Sequence, residues 1–193
     1  MGFLRALQKL WRGRGWWQAG LTRPPLSGNK RLDAARAQVE DCAAAMKATP
    51  RNKALREAWA QAAHGLVFEY RELGDIDSAL GITDHLWQAV QNHPSDDDLL
   101  TRWGYAVSGC SVDLAKAGEL GAAQALVEKI KLAIGDYPHH PYFWYIWTEA
   151  VSCLVPAYVA AGDLPGARAL VDQMAVDAGA RIEERNLGVD TQQ

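Results

Sequence analysis

Six columns of residues recur along this chain at one fixed step. Pro50, Pro94 and Pro138 stand 44 residues apart, and so do Trp59, Trp103 and Trp147. Ala62, Ala106 and Ala150 keep the step, as do Gly74, Gly118 and Gly162. Ile76, Leu120 and Leu164 hold it, with Ala79, Ala123 and Ala167. A period of this size marks a repeat architecture, in which no unit can bury its apolar face alone and each must stack on a neighbour. The last two columns extend back to Leu32 and Ala35, so residues 30–49 read as the second half of an earlier, incomplete unit. The chain therefore divides into a basic arm at 1–25, a repeat domain at 26–185 and a tail at 186–193. The repeat domain comprises the half repeat 30–49 and the repeats 50–93, 94–137 and 138–181.

Each unit has a physical logic. Proline fixes φ and cannot continue a helix, so it opens the unit. A helix A of about 18–20 residues follows, for example 54–73. Glycine ends it, where the chain needs φ > 0 after the last turn. An acid comes next in every unit (Asp75, Glu119, Asp163), favourable at the start of a helix B of about 15 residues. The small Ala79, Ala123 and Ala167 let helices approach closely. Ala-rich stretches with few β-branched runs agree with an all-α fold. Trp59, Ala62 and Leu66 share one face, as do Trp103, Ala106 and Cys110, and Trp147, Ala150 and Leu154, so these form the expected core.

The order Trp59, Ala63, Gly74, Ala79, Pro94 resembles the motif of the tetratricopeptide-repeat family. Each unit here is about ten residues longer than that family's, and the small residue after Trp becomes Val107 and Val151 in the later units. The resemblance covers about residues 30–181. It implies an α-solenoid of antiparallel helix pairs with elongated helices, and a concave surface lined by helix A that grips a peptide or helix of a partner. Carried over position by position, that groove is Glu57, Ala60, His64 and Val67, then Thr101, Gly104, Ser108 and Ser111, then Tyr145, Thr148, Ser152 and Val155. Small and hydroxylated side chains there leave room for a partner backbone and can hydrogen-bond it. The basic positions with which some members clamp a C-terminal carboxylate are missing.

Charge is split unevenly. Residues 1–32 carry seven basic residues and no acid, while residues 33–193 sum to −10. Residues 3–12 read as an amphipathic helix, with Phe3, Leu4, Leu7, Leu10 and Trp11 on one face and Arg5, Lys9 and Arg12 on another. Trp16 and Trp17 follow. Three readings stand for this arm: an interfacial helix on an anionic membrane, docking on the repeat body or another copy, and, least favoured, nucleic-acid contact through Arg-Gly-Arg-Gly.

Three scattered cysteines, Cys42, Cys110 and Cys153, argue against a disulfide framework or a zinc site and favour a reducing, cytoplasmic setting. The N-terminus offers no signal-peptide core. Residues 142–161 are nearly all apolar, yet Trp147, Ala150 and Gly162 keep their columns, so this is helix A of the third unit rather than a membrane span. Its aromatic block, Tyr142, Phe143, Trp144, Tyr145 and Trp147, is expected either to bury under the last helix or to form an exposed partner surface. Pro156 should kink it. Asp96, Asp97 and Asp98 read as cap and dipole partners of a helix rather than metal ligands. His139-His140 reads as a loop pair, and His64 with Glu57 or Glu69 as a conceivable acid–base pair that no spacing demands. The chain contains no G-x-x-x-x-G-K-[ST], H-E-x-x-H or G-x-S-x-G. The expectation is a non-enzymatic scaffold, adaptor or assembly factor without cofactor or metal, cytoplasmic and holding a protein partner, with a peripheral place on a membrane as one reading of the arm; the alternative is a self-associating structural subunit.

Overall fold

The structure, a computed structural model, describes residues 27–138, 140 and 142–190. Among these residues it has seven α-helices and no strand. They are α1 (Lys30–Ala48), α2 (Lys53–Glu72), α3 (Ile76–Asn92), α4 (Asp97–Lys116), α5 (Leu120–Asp136), α6 (Phe143–Ala160) and α7 (Leu164–Asp190). Helices α2, α4 and α6 are the A helices of the three units, and α1, α3, α5 and α7 are B helices. The arm of residues 1–25, with its expected amphipathic helix, lies outside the described residues.

Three identical joints connect A to B. Gly74, Gly118 and Gly162 have φ of +73°, +81° and +78°. In the first joint the Asp75 N–H donates to the Tyr70 carbonyl at 3.0 Å and the Gly74 N–H to the Arg71 carbonyl at 2.9 Å. The same pair of bonds recurs from Glu119 to Leu114 and Gly118 to Ala115, and from Asp163 to Tyr158 and Gly162 to Val159. This is the Schellman closure, which satisfies the last carbonyls of helix A and needs a residue tolerant of positive φ. Asp75 and Asp163 then cap the following helices, accepting from Ser78 N–H at 3.1 Å and Gly166 N–H at 2.9 Å. Helices α3 and α5 are each 17 residues long and stop just short of Pro94 and Pro138. Ile182 stands where the 44-residue step would place the next proline, and α7 runs on for 27 residues, past the expected end of its unit.

Neighbouring helices pack in chain order, and each A helix also packs on the next A helix. The A helices run parallel and in register. Arg56 near the start of α2 meets Asp96 at the start of α4, and Arg71 near the end of α2 meets Asp113 near the end of α4. The column residues lie where the packing argument puts them: Trp59, Trp103 and Trp147 are all buried, as are Ala62, Ala106, Ala150, Ala79, Ala123 and Ala167. Trp103 is fully enclosed, its ring 4.4 Å from that of Trp87 and 6.0 Å from that of Phe143. Burying such a side chain contributes roughly 2–3 kcal/mol. No described helix is long and apolar enough to cross a membrane. Helix α6 continues through Pro156.

Candidate functional site

The twelve positions carried over as a groove do not form one surface. Ala60, Val67, Gly104, Ser108 and Ser111 are buried. They lie between A helices, where their small size is needed. A Cβ on Gly104 would stand 3.0 Å from Ile146 Cδ1 and 3.2 Å from Phe143 Cε1, so α6 occupies the space a ligand was expected to take. Three of the hydroxyls are engaged as well. Ser111 donates to the Ser108 carbonyl at 2.7 Å and Thr148 to the Tyr145 carbonyl at 2.9 Å, while Thr101 Oγ1 lies 3.1 Å from His140 Nε2. Glu57, His64, Thr101, Thr148 and Val155 are half-buried, and Tyr145 and Ser152 are exposed. The arm residues Phe3, Leu4, Arg5, Leu7, Lys9, Leu10, Trp11, Arg12, Trp16 and Trp17 lie outside the described residues.

The accessible stripe of the A row is turned by roughly 60–70° from the expected one, less than the ~100° between successive helical residues. It runs through Glu57, Gln61 and Phe68 on α2, Asp98, Thr101, Tyr105 and Val112 on α4, and Tyr142, Tyr145, Glu149 and Pro156 on α6. Spacings of three, four and seven keep each set on one face. The turn follows from packing: an A helix touches the B helices before and after it and one or two A neighbours, so only the side facing away from all of these reaches solvent. Tyr105, Gln61 and Glu149 share a column that contains no common residue type, so no repeated letter signals it.

The aromatic block of α6 takes both fates allowed for it. Phe143 and Trp147 are buried, and Trp144 is half-buried with its ring 5.5 Å from that of Trp147. Tyr142 and Tyr145 are 55% and 59% exposed, although large apolar rings normally seek cover. On α4, Tyr105 faces the same region. Its phenol is held above the ordinary value, first by burial and then by Tyr145, Glu149 and Tyr142. Phe68 on α2 is also 46% exposed.

Charges on the rim are largely committed. Asp96 precedes α4 but makes no side-chain cap bond; its Oδ2 accepts from Arg56 Nε at 3.2 Å, with both groups nearly buried. The expected cap is thus an inter-helix tie. Glu57, Asp96 and Asp98 bring oxygens within 4.8 Å of one another. Arg56 and Lys53, the latter 3.2 Å from Glu57, offset two of these three charges. Glu69 is taken by Arg31 at 2.6 Å, and Arg71 by Asp113 at 2.6 Å. His64 has its pKa lowered by burial, then by Arg102 and Arg71; its effective neighbours are cations rather than an acid partner. His140 is buried at the entry to α6, its Nε2 also 3.3 Å from the Asp97 carbonyl and its ring 4.4 Å from Phe143. Burial pushes the Cys110 thiol up to about 12, which leaves it inert as a nucleophile. All three cysteines are free.

Comparison with protein-family models, with curated proteins and with solved structures gives no match for this chain.

Proposed function

We propose that the chain is a tetratricopeptide-like α-solenoid that acts as a non-enzymatic protein-binding scaffold. In this reading the partner is a peptide or amphipathic helix, seated along the exposed stripe of the A row. The observation that carries it is the set of large rings left open on that stripe, Phe68, Tyr142 and Tyr145, with Tyr105 between them. Aromatic side chains of this kind dominate the energetics of recognition surfaces when a partner covers them. The three 44-residue units, their repeated Schellman joints and the parallel A helices support the solenoid. A cytoplasmic setting rests on the free cysteines, and attachment to a membrane surface rests on the basic arm alone.

Self-association is the second reading. It is favoured by α7, where Leu164, Val171 and Val176 are exposed at the end of the helix row.

Affinity capture with the full chain tests the first reading. Tyr145→Arg and Phe68→Glu are the controls, because both side chains are exposed and their replacement leaves the core alone. The expected result is a captured protein lost with either variant while circular dichroism and melting stay unchanged. Capture of the same proteins by all three baits would refute the stripe as the binding surface. Light scattering of Val171→Lys, Val176→Glu addresses the second reading: a mass that stays at 21.2 kDa for the native chain removes it.

A further inference from the structure

The exposed tyrosines of α6 sit on a stretch of the chain with acids and no lysine or arginine, while α4 beside it carries Arg102. Between Lys131 and Arg168 the chain has no lysine or arginine, but it has Asp136, Glu149 and Asp163. Glu149 lies one turn beyond Tyr145 on the same face of α6, and Asp97 and Asp98 stand at the adjoining end of α4, both exposed. Phenol rings beside carboxylates form a receptor for guanidinium and ammonium groups, through cation–π attraction and ion pairing together. One column of the stripe, Phe68, Val112 and Pro156, is apolar. A fitting occupant is therefore a helix with one basic and one apolar face.

The same chain contains such a segment. Residues 1–26 carry Arg5, Lys9, Arg12, Arg14 and Arg23 and no acid, and Phe3, Leu4, Leu7, Leu10 and Trp11 recur at helical spacing. Reach permits the contact. Arg31 pairs with Glu69, so the start of α1 stands beside the C-terminal end of α2. Adjacent packed helices are about 8–10 Å apart, which puts α6 roughly 16–20 Å from α2 and about 25 Å from the start of α1. Residues 18–27 span up to about 33 Å when extended. As the helix its spacing predicts, residues 3–12 would be about 15 Å long, a little over half the length of α6.

We propose that residues 3–17 of this chain dock in cis on the Tyr105–Tyr142–Tyr145–Glu149 face, as a built-in occupant that an outside partner must displace. The inference rests on the scaffold reading, since it assigns the arm to the same stripe.

The test uses the full chain with Tyr145→p-benzoylphenylalanine, irradiated at low micromolar concentration, then digested and read by mass spectrometry. The expected result is cross-linking to residues 1–25 within a monomeric band. Glu149→Lys should cut that yield roughly fivefold, the effect of losing about one partly exposed ion pair. Cross-links that map only to the repeat domain would overturn the proposal. So would cross-links to residues 1–25 confined to a dimeric band, which would assign the arm to a second copy, or a yield unchanged by Glu149→Lys. Failure here is separable from failure of the scaffold reading. Tyr145-dependent capture of a partner without an arm cross-link sinks only the cis docking, whereas an arm cross-link with no captured partner sinks only the scaffold.

Discussion

Replacing one glycine by alanine should destabilise this protein at Gly118 and stabilise it at Gly65. Gly118 closes α4 with φ +81°, and a Cβ added there meets no atom within 4 Å. Alanine at that site is therefore not crowded; its whole penalty is the left-handed backbone, about 1–2 kcal/mol. Gly65 is exposed in the middle of α2, also with nothing within 4 Å of an added Cβ. Alanine there suffers no clash and restricts the unfolded chain, a gain of about 0.5–1 kcal/mol. For a folded unit of this size each kcal/mol shifts Tm by roughly 2–4 °C, so the two variants should separate by several degrees in opposite directions. Gly118→Asn should fall between native and Gly118→Ala, because asparagine tolerates the left-handed region better. Thermal and urea unfolding followed by far-UV circular dichroism and tryptophan fluorescence measure all three. Agreement of the two probes also shows whether the units unfold together, which repeat arrays do not always do. Midpoints for Gly118→Ala and Gly65→Ala that move the same way would refute the argument that backbone conformation, and not space, selects glycine at the joint.

Other consequences follow from burial and charge. Trp103→Ala empties the most enclosed indole of the row and should cost about 3–5 kcal/mol by urea denaturation; a loss under 1 kcal/mol would mean that the central layer is not packed as described. His64 is harder to protonate in the folded state than in the unfolded chain, so stability should be complete above the ordinary histidine pKa of about 6.5 and decline as pH falls below it. His64→Gln should flatten part of that slope, with His85, also depressed by burial, supplying some of the rest; an identical slope in the variant would contradict the assignment. Iodoacetamide should label exposed Cys153 in the native protein and Cys110 only after unfolding, and early modification of Cys110 would show that α4 is not enclosed.

The spacing of six residue columns determined the number of units, the helix-to-helix joints and the core. Proline, glycine and tryptophan act locally: one stops a helix, one admits positive φ, and one is too large and apolar to leave in water. Their places could be read letter by letter, and α2 and α4 begin and end within a residue or two of the expected limits. The choice of accessible face is another kind of fact. Ala60, Gly104 and Ser111 look from the sequence like the floor of a groove, because a small residue permits close approach without naming what approaches. Packing decided that the next A helix does, and it turned the free surface by less than one residue, onto Tyr105, Tyr145 and Glu149. The sequence alone could show that α6 had rings to spare; only the layering of three parallel helices, each covered by its A and B neighbours, decided which rings remained in solvent.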